Sequence, residues 1–208
     1  MRQKRALGEN HQDTLASLNQ LGVALDIQTK YTKAEDVYRD AWKGRKETLG
    51  ADHEDTLSAL HSLGEALYNQ AKYAEAEAVY RDAWECRKRT LSETNEDTLL
   101  SLYFVGCMLS RQAKYTEAEG VWCPLWEGRK KTLGEHHEDT LSSLYWLAGA
   151  FRGQGKYTEA GDAYRATWEG RKRMLEPHLG DTISALYWLR WALRKQGKYA
   201  EADDLGSQ

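Results

Sequence analysis

The chain has 208 residues, of which 29% are charged and two are proline, and its formal net charge is −3. This slightly acidic balance gives no general attraction to the phosphate backbone of nucleic acids. No apolar run approaches the roughly 20 residues that a membrane-spanning helix needs. The basic N-terminus lacks the apolar stretch of a signal peptide, so we expect a cytoplasmic protein with no membrane partner. Eight Trp and twelve Tyr against two Phe form an unusual aromatic balance that needs a cause.

A 42-residue period runs through the chain. Asp-Thr-Leu or Asp-Thr-Ile begins at five positions with this spacing, and the Lys-Tyr and Arg-Lys pairs recur with the same period. A fixed period in this range is typical of a solenoid, in which each repeat buries its apolar face on its neighbours. The predicted repeats are 13–54, 55–96, 97–138, 139–180 and a truncated 181–208, with residues 1–12 as the tail of a preceding helix and its loop.

Each repeat is predicted to form two antiparallel helices, which makes the fold class all-α. In the first repeat, Leu15, Leu18 and Leu21 follow the spacing of one helical face. Asp13 directly precedes this run and is the predicted N-cap of the first helix. The first helix should end near the Gln-x-Lys-Tyr segment, where Gly155 in the fourth repeat suits a left-handed C-terminal position. The second helix follows directly.

A Leu-Gly pair in the first helix, followed by Ala, Tyr and Ala in the second, resembles the tetratricopeptide repeat (TPR). The 42-residue length, the HxDTL junction and the QxKYxEAE turn are most similar to the kinesin-light-chain type. They also resemble the arrays at the C-terminal ends of fungal and bacterial STAND (NB-ARC or NACHT ATPase) proteins. This resemblance covers nearly all of residues 1–208 and implies a single right-handed α-solenoid, or superhelix, of about five units. The chain departs from the family at the two residues directly before the Asp-Thr pair. It has His-Glu, His-Gln or Asn-Glu there, whereas the family usually has His-Pro.

The resemblance also implies where a ligand would bind, because the first helices of the family line a concave face. With Leu15 as the first position, the fifth, twelfth and thirteenth positions of each first helix point to that side. The candidate peptide-binding residues at these positions are Asn19, His61, Tyr103, Tyr145, Tyr187, Arg111, Arg152, Arg194 and Lys195. The tyrosine hydroxyls would bond a ligand backbone, and the cations would pair with ligand carboxylates. The expected partner is therefore a protein or peptide segment, acidic and with aromatic or aliphatic anchors.

Three other features leave alternatives open. Phe104, Trp146 and Trp188, at the sixth position, either line the groove or fill gaps between adjacent first helices. Trp42 and its equivalents recur every 42 residues and are predicted to belong to the core. Pro124 lies inside a second helix, where it should bend or locally open that helix.

No catalytic or metal site is predicted. The chain has no phosphate-binding loop, dinucleotide fingerprint, HExxH or GxSxG motif. Its three cysteines lack metal-ligand spacing. His11, His53 and His137 lie a repeat apart, too far from one another to share a metal ion. We therefore expect no enzyme activity and no cofactor.

The leading hypothesis is a non-catalytic scaffold that binds a protein or peptide on its concave face. Because the repeat pattern is incomplete at both ends of the sequence, we expect a segment of a longer array, such as the sensor region of a STAND-type protein. One alternative is a self-associating module that forms a homo-oligomer through open solenoid ends. Another is single-stranded RNA binding by aromatic stacking, which the acidic balance disfavours.

Overall fold

The computed structural model describes residues 8, 10–174 and 179–207 of the chain, and these residues form helices without any strand. The predicted all-α fold class is therefore confirmed. The predicted tail of a preceding helix, residues 2–8, lies outside the described residues except for Gly8. The helices are α1 (Gln12–Ile27), α2 (Tyr31–Leu49), α3 (Glu54–Asn69), α4 (Tyr73–Thr90), α5 (Glu96–Arg111), α6 (Tyr115–Leu133), α7 (Glu138–Gly153), α8 (Tyr157–Lys172), α9 (Leu179–Lys195) and α10 (Tyr199–Asp204), followed by a 3₁₀ turn (Leu205–Ser207).

The chain folds as two compact units, Met1–Met108 and Leu109–Gln208, with the boundary inside α5. In unit 1, α1 packs on α2, α2 on α3, and α3 on α4. In unit 2, the consecutive helices from α6 to α10 pack on one another in the same way. Each unit is thus built from antiparallel helix pairs joined by short turns.

The first helices begin at a side-chain cap that the sequence analysis assigned to the wrong residue. Nδ1 of His53 accepts a hydrogen bond from the backbone N–H of Asp55 at 3.2 Å, while His53 itself has extended backbone angles. The aspartate already lies in the first helical turn, where its charge favours the helix dipole but where it is too late to be the N-cap. The capping residues are His11, His53, Asn95 and His137.

The turn after each first helix contains one residue in the left-handed conformation. Gly155 and Gly197 occupy it in the last two repeats, with φ of 77° and 79°, which confirms the prediction for Gly155. In the first three repeats the same position holds Thr29, Ala71 and Ala113, with φ of 57° to 58°. A non-glycine residue in this conformation costs about 1–2 kcal/mol, so the surrounding contacts must hold these turns in place.

An aromatic side chain from each of the four long second helices, α2, α4, α6 and α8, lies at the centre of the core. These residues are at most 2% exposed: Tyr38, Tyr80, Trp122 and Tyr164. A Cβ on Gly22 would lie 2.3 Å from the ring of Tyr38, and one on Gly64 would lie 2.6 Å from the ring of Tyr80. Glycine is therefore required at these two positions for the first and second helices to approach.

Pro124 does not interrupt its helix. α6 is helical from Tyr115 to Leu133 with the proline inside it, so the predicted local opening is wrong. Proline removes only one hydrogen bond of a 19-residue helix, and the packing of α6 on α7 holds the remaining turns together. The predicted bend stays a prediction.

In unit 1, the Gln-x-Lys-Tyr segment after α3 connects the second repeat to the first. Nε2 of Gln70 donates to Oε2 of Glu35 at 2.8 Å, and Nζ of Lys72 donates to the same oxygen at 2.7 Å. Gln70 also bonds the backbone carbonyl of Tyr31. Burial alone would raise the pKa of Glu35, but the hydrogen bonds from Lys72 and Gln70 outweigh it and hold that pKa below its ordinary value. We call this arrangement the glutamine–lysine clamp.

The same clamp recurs in unit 2. Gln154 and Lys156 donate to Oε2 of Glu119 at 2.6 and 2.7 Å, and these bonds lower the pKa of Glu119. In the next repeat Gly161 stands at the position of the glutamate, and Gln196 donates to the carbonyl of Tyr157 at 2.7 Å. A recurring motif thus joins neighbouring helix pairs by side-chain contacts.

The Arg-Lys pairs divide into two roles. The arginine reaches the next first helix: Nη1 of Arg129 donates to the carbonyl of Asp139, and both Arg129 and Arg171 are 3% exposed. The lysine lies over the tryptophan one turn earlier, as Lys46 does at 5.0 Å from the centre of the Trp42 ring. Of these recurring tryptophans only Trp168 is buried, and Trp42, Trp84 and Trp126 are half-buried. A lysine of the same helix lies over one face of each ring, so all four pack within their repeats, and Trp168 is the one that lies fully in the core.

Candidate functional site

In unit 1 the predicted site residues are half-buried. His61 lies 3.6 Å from the carboxylate of Glu65, and its ring meets the ring of Phe104 at a centroid distance of 4.8 Å. Tyr103 contacts Phe104 edge-on at 5.6 Å. Asn19 holds the same position on α1. His61 and Tyr103 therefore both contact the ring of Phe104.

The sixth-position aromatics fill gaps between neighbouring repeats. Phe104 stacks on the buried Tyr80 at 4.8 Å with the ring planes 17° apart, and Trp146 stacks on the buried Trp122 at 6.0 Å and 13°. Of the two interpretations left open by the sequence, the structure therefore supports packing for Phe104 and Trp146.

The last pair of repeats replaces this direct stacking with an arginine. The guanidinium carbon of Arg152 lies 3.7 Å from the centre of the Trp188 ring. Burial raises the pKa of the nearby Tyr164, and the charge of Arg152 acts in the opposite direction. The ring of Trp191 lies 5.9 Å from that of Trp188. Arg152 is thereby held between aromatic groups of α8 and α9.

Tyr145 completes this cluster. Its ring meets that of Tyr164 edge-on at 5.5 Å and that of Trp146 edge-on at 5.8 Å. Burial raises the pKa of Tyr145, while the neighbouring Trp188 and the charge of Arg152 act in the opposite direction. A tyrosine hydroxyl can both donate and accept a hydrogen bond.

A glycine leaves room beside these side chains. Gly149 lies one turn from Tyr145 and from Arg152 on α7, so the three share one helical face. A Cβ built on Gly149 would meet only the Tyr164 hydroxyl, at 3.7 Å, which is ordinary van der Waals contact. We call this surface the α7–α9 face, and it consists of Tyr145, Gly149, Arg152, Trp188 and Trp191.

Of the other predicted residues of unit 2, the three cations lie at the ends of helices and Tyr187 lies in the middle of α9. Tyr187 is 60% exposed and contacts Trp188 edge-on. Arg194 forms an exposed ion pair with Asp203 at 2.7 Å, and Nζ of Lys195 lies 5.4 Å from the Trp191 ring. Arg111 is exposed in the last turn of α5. The structure therefore brings Tyr145 and Arg152 together and leaves Arg194 and Lys195 paired within the chain.

The sequence analysis missed a hydrogen bond that the twelfth position makes in two repeats. This side chain bonds the buried aromatic of its own repeat, as in Tyr38 to Asp26 at 2.8 Å and Trp122 to Ser110 at 3.2 Å. The sequence period gave no signal for these bonds, because the aromatic is tyrosine in the first, second and fourth repeats while the twelfth residue differs in each. In these two repeats the twelfth position therefore contributes to the core.

An open concavity of unit 2 lies away from this face. It has a volume of about 210 Å³ and is lined by residues of α6, α7 and α8 that include Trp126, Leu144 and Arg173. A peptide that lies across a helix surface needs no enclosed volume. The α7–α9 face and this concavity are therefore two separate candidate binding surfaces. None of the helices within the described residues is long and apolar enough to span a bilayer.

Comparison with known proteins agrees with this fold. Residues 14–55 and 56–97 match the family model described as tetratricopeptide repeat. Two of the 42-residue repeats thus match the tetratricopeptide repeat. Comparison with curated protein sequences gave no match.

Solved structures of this type resemble the chain over most of its length. The putative kinesin light chain of Podosopora anserina, with nearly identical TPR-like repeats, has a TM-score of 0.80 at 20% identity and covers 93% of this chain and 92% of its own. BtubC (BKLC) from P. vanneervenii has a TM-score of 0.81 at 16% identity, with coverage of 93% and 77%. A Rap protein complexed with competence and sporulation factor has a TM-score of 0.64 at 13% identity, with coverage of 97% and 58%. The fold is therefore that of TPR-like repeat structures such as these.

Proposed function

We propose that the chain binds a protein or peptide segment on the side of its first helices, with the α7–α9 face as the principal contact. The observation that supports this most is the combination of fixed aromatic side chains with an open helix surface at Gly149. Aromatic groups whose conformations are already restricted lose little entropy on binding. A ligand would therefore meet a surface that is organised in advance.

The chemistry of the α7–α9 face suits an apolar anchor next to a peptide bond. An aliphatic or aromatic ligand side chain would pack over Gly149, between Tyr145 and Arg152. The hydroxyl of Tyr145 would donate to a ligand carbonyl. Asn19, His61 and Tyr103 hold the equivalent positions in unit 1 and would be the ligand contacts of that unit.

The basic residues give this surface a preference for acidic ligands. The ion pair between Arg194 and Asp203 is exposed on both sides, and such pairs contribute only about 0–1 kcal/mol. A ligand carboxylate would therefore replace Asp203 at little cost. Lys195 and Arg111 would add positive potential, and Tyr187 would extend the aromatic surface beside them.

The proposal includes a cellular context. The sequence resemblance to STAND-type arrays supports a role as a segment of a longer cytoplasmic array that senses a ligand. The Rap protein complexed with competence and sporulation factor shares this fold, which supports ligand binding as a use of the architecture.

A pair of glycine variants tests the binding surface. Peptides would first be selected against the chain from a displayed random library, and their affinities would then be measured by fluorescence anisotropy. Gly149→Gln projects a side chain onto the α7–α9 face without disturbing the core, so we expect it to weaken selected peptides by more than about tenfold.

Gly120→Gln is the matched control, because Gly120 also lies within a helix of unit 2 and a Cβ there meets nothing within 4 Å. We expect Gly120→Gln to bind the peptides with the affinity of the unchanged chain. Thermal unfolding should show that neither variant loses stability, since both remove a helical glycine. Equal affinities for Gly149→Gln and the unchanged chain would contradict the proposed surface.

A further inference from the structure

The concavity of unit 2 combines buried apolar side chains with exposed charged ones. Leu141 and Leu144 of α7 are at most 9% exposed, and the half-buried Trp126 lines the concavity from α6. A Cβ on Gly170 would lie 2.6 Å from the side chain of Leu141, so α8 packs directly on this apolar floor. The charged residues around the floor are all exposed: Lys130, Glu135, His136, Glu169 and Arg173. The concavity lies between the third and fourth repeats, each of which has both of its helices.

The corresponding place in unit 1 contains an ion pair. Nη2 of Arg89 donates to Oδ1 of Asp52 at 2.6 Å, which joins the end of α4 to the loop before α3. Two repeats later, the same two positions are Arg173 and His136. Unit 2 therefore keeps the guanidinium, while the carboxylate that the guanidinium binds in unit 1 is replaced by an imidazole.

Within the described part of the chain, no carboxylate takes the place of that missing partner. The carboxylate of Glu135 lies 3.6 Å from Nζ of Lys130 and 3.5 Å from Nε2 of His136. Among the described residues, no hydrogen bond or ion pair holds the side chain of Arg173. A guanidinium beside an apolar floor thus lacks the anion that its counterpart in unit 1 has.

The carboxylate of Glu169, which also lines the concavity, does not exclude an anion from this place. It lies one turn before Arg173, and unit 1 has Glu85 at the equivalent position, one turn before Arg89. The ion pair with Asp52 forms in unit 1 although Glu85 is present. An arginine in this setting therefore still binds a carboxylate.

The size of the concavity limits what can bind there. Its volume of about 210 Å³ is below the roughly 300–1,000 Å³ that sites for drug-sized ligands have. A ligand would therefore be a small molecule. An aromatic or branched apolar group suits the floor formed by Trp126 and Leu144, and a carboxylate suits Arg173 because hydrogen bonds between ionised groups are strong.

We propose that this concavity binds a small organic carboxylate that carries one aromatic or branched apolar group. The carboxylate would accept hydrogen bonds from Arg173, as Asp52 accepts from Arg89 in unit 1. The apolar group would lie on Trp126 and Leu144. This site is separate from the α7–α9 face, so the chain would bind a small acid in addition to its protein or peptide partner.

Matched pairs of probes test this chemistry on the 208-residue chain. Phenylacetate and isovalerate would be titrated in parallel with their neutral amides, phenylacetamide and isovaleramide, and binding would be followed by NMR of the nitrogen-labelled protein. We expect at least one acid to bind about tenfold or more tightly than its amide. The signals that shift should include the backbone amide of Arg173 and the indole of Trp126.

Three variants locate the carboxylate. Arg173→Gln removes the guanidinium and should weaken the acid at least about tenfold without changing the affinity of the amide. His136→Asp supplies the carboxylate that unit 1 has, and its pairing with Arg173 should weaken the acid to a similar extent. Lys172→Gln is the matched control, because it removes the same charge from the neighbouring residue, which lies over the ring of Trp168 outside the concavity. It should bind the acid as the unchanged chain does.

Four results would overturn the inference: no binding of either acid, equal affinities of each acid and its amide, Arg173→Gln that binds the acid normally, or capture of only a peptide C-terminus. The last is checked with an acetylated peptide that ends in phenylalanine. Circular dichroism should show unchanged helicity for all three variants, because the substituted residues are exposed. Gly149→Gln should bind the acid normally, so failure of this site and failure of the α7–α9 face are distinguishable.

Discussion

At the residue scale, one side chain sets the start of each complete first helix. His53 accepts the N–H of Asp55 through Nδ1, and Asn95 accepts that of Asp97 through Oδ1 at 2.9 Å. Both acceptors are two bonds from Cβ, so the two side chains present the acceptor at nearly the same place. This explains why asparagine replaces histidine in the third repeat without moving the helix.

The cap makes a direct stability prediction. His53→Ala removes the acceptor and should lower the free energy of unfolding by about 1 kcal/mol, which corresponds to roughly 2–4 °C in Tm for a chain of this size. His53→Asn keeps an acceptor and should stay close to the unchanged chain. Thermal unfolding followed by circular dichroism measures both. His136→Ala, in an exposed loop position, is the control and should have no effect, whereas equal losses for His53→Asn and His53→Ala would show that the cap is unimportant.

Sequence reasoning missed this cap for an identifiable reason. Aspartate is a common N-cap, and Asp13 and its equivalents stand directly before the apolar run, so the pattern favoured them. The distinguishing signal was the alternation of His and Asn two residues earlier, since these two types share an acceptor and little else.

At the scale of elements, the glutamine–lysine clamp joins one helix pair to the next. Its glutamate is present as Glu35 and Glu119 but is replaced by Gly161 on α8. Gln196 and Lys198 are still present after α9. The fourth junction therefore has donors in place for a carboxylate that the sequence does not supply.

Restoring this carboxylate should stabilise the chain. Gly161→Ala removes a glycine from a helix and should contribute about 0.5–1 kcal/mol. Gly161→Glu should contribute a further 0.5–1.5 kcal/mol or so if the clamp forms, because only the flexible end of Gln196 must move to admit the side chain. Urea unfolding at neutral pH measures both changes.

Gly161→Gln is the control, since it has the length of glutamate without the charge. By analogy with Glu119, whose pKa is lowered from 4.5, the new carboxylate should have a lowered pKa in the folded state. Its contribution should then be complete above the ordinary pKa and be lost as the pH falls through the folded value. Equal stability of Gly161→Glu and Gly161→Gln at neutral pH would show that the clamp does not form.

At the scale of the whole molecule, local structure follows the sequence period closely. α1, α3, α5 and α7 begin exactly one period apart, at Gln12, Glu54, Glu96 and Glu138. Helix periodicity and turn residues are local signals, so a single repeat is enough to predict them. The helix pairs were therefore predictable in number and order.

Contacts between repeats were not predictable in the same way. Phe104 stacks on Tyr80, which precedes it by 24 residues, and Gln70 bonds Glu35, which precedes it by 35. Whether an aromatic residue at the sixth position packs or faces a ligand depends on the distance between neighbouring helices. The 42-residue period of the sequence gives no information about that distance. For the same reason Tyr145 and Arg152 were predicted as separate ligand contacts, whereas the structure joins both through Trp188 and Tyr164.

The central claim is that a ligand lies on the side of the first helices in unit 2. The most direct measurement is photo-cross-linking, with a selected peptide that carries a diazirine at its apolar anchor and mass spectrometry to locate the attachment. We predict attachment within Glu138–Gly153 and Leu179–Lys195, the helices of the α7–α9 face. Attachment instead to Trp126 or Arg173, which line the concavity beside the second helices, would contradict the claim.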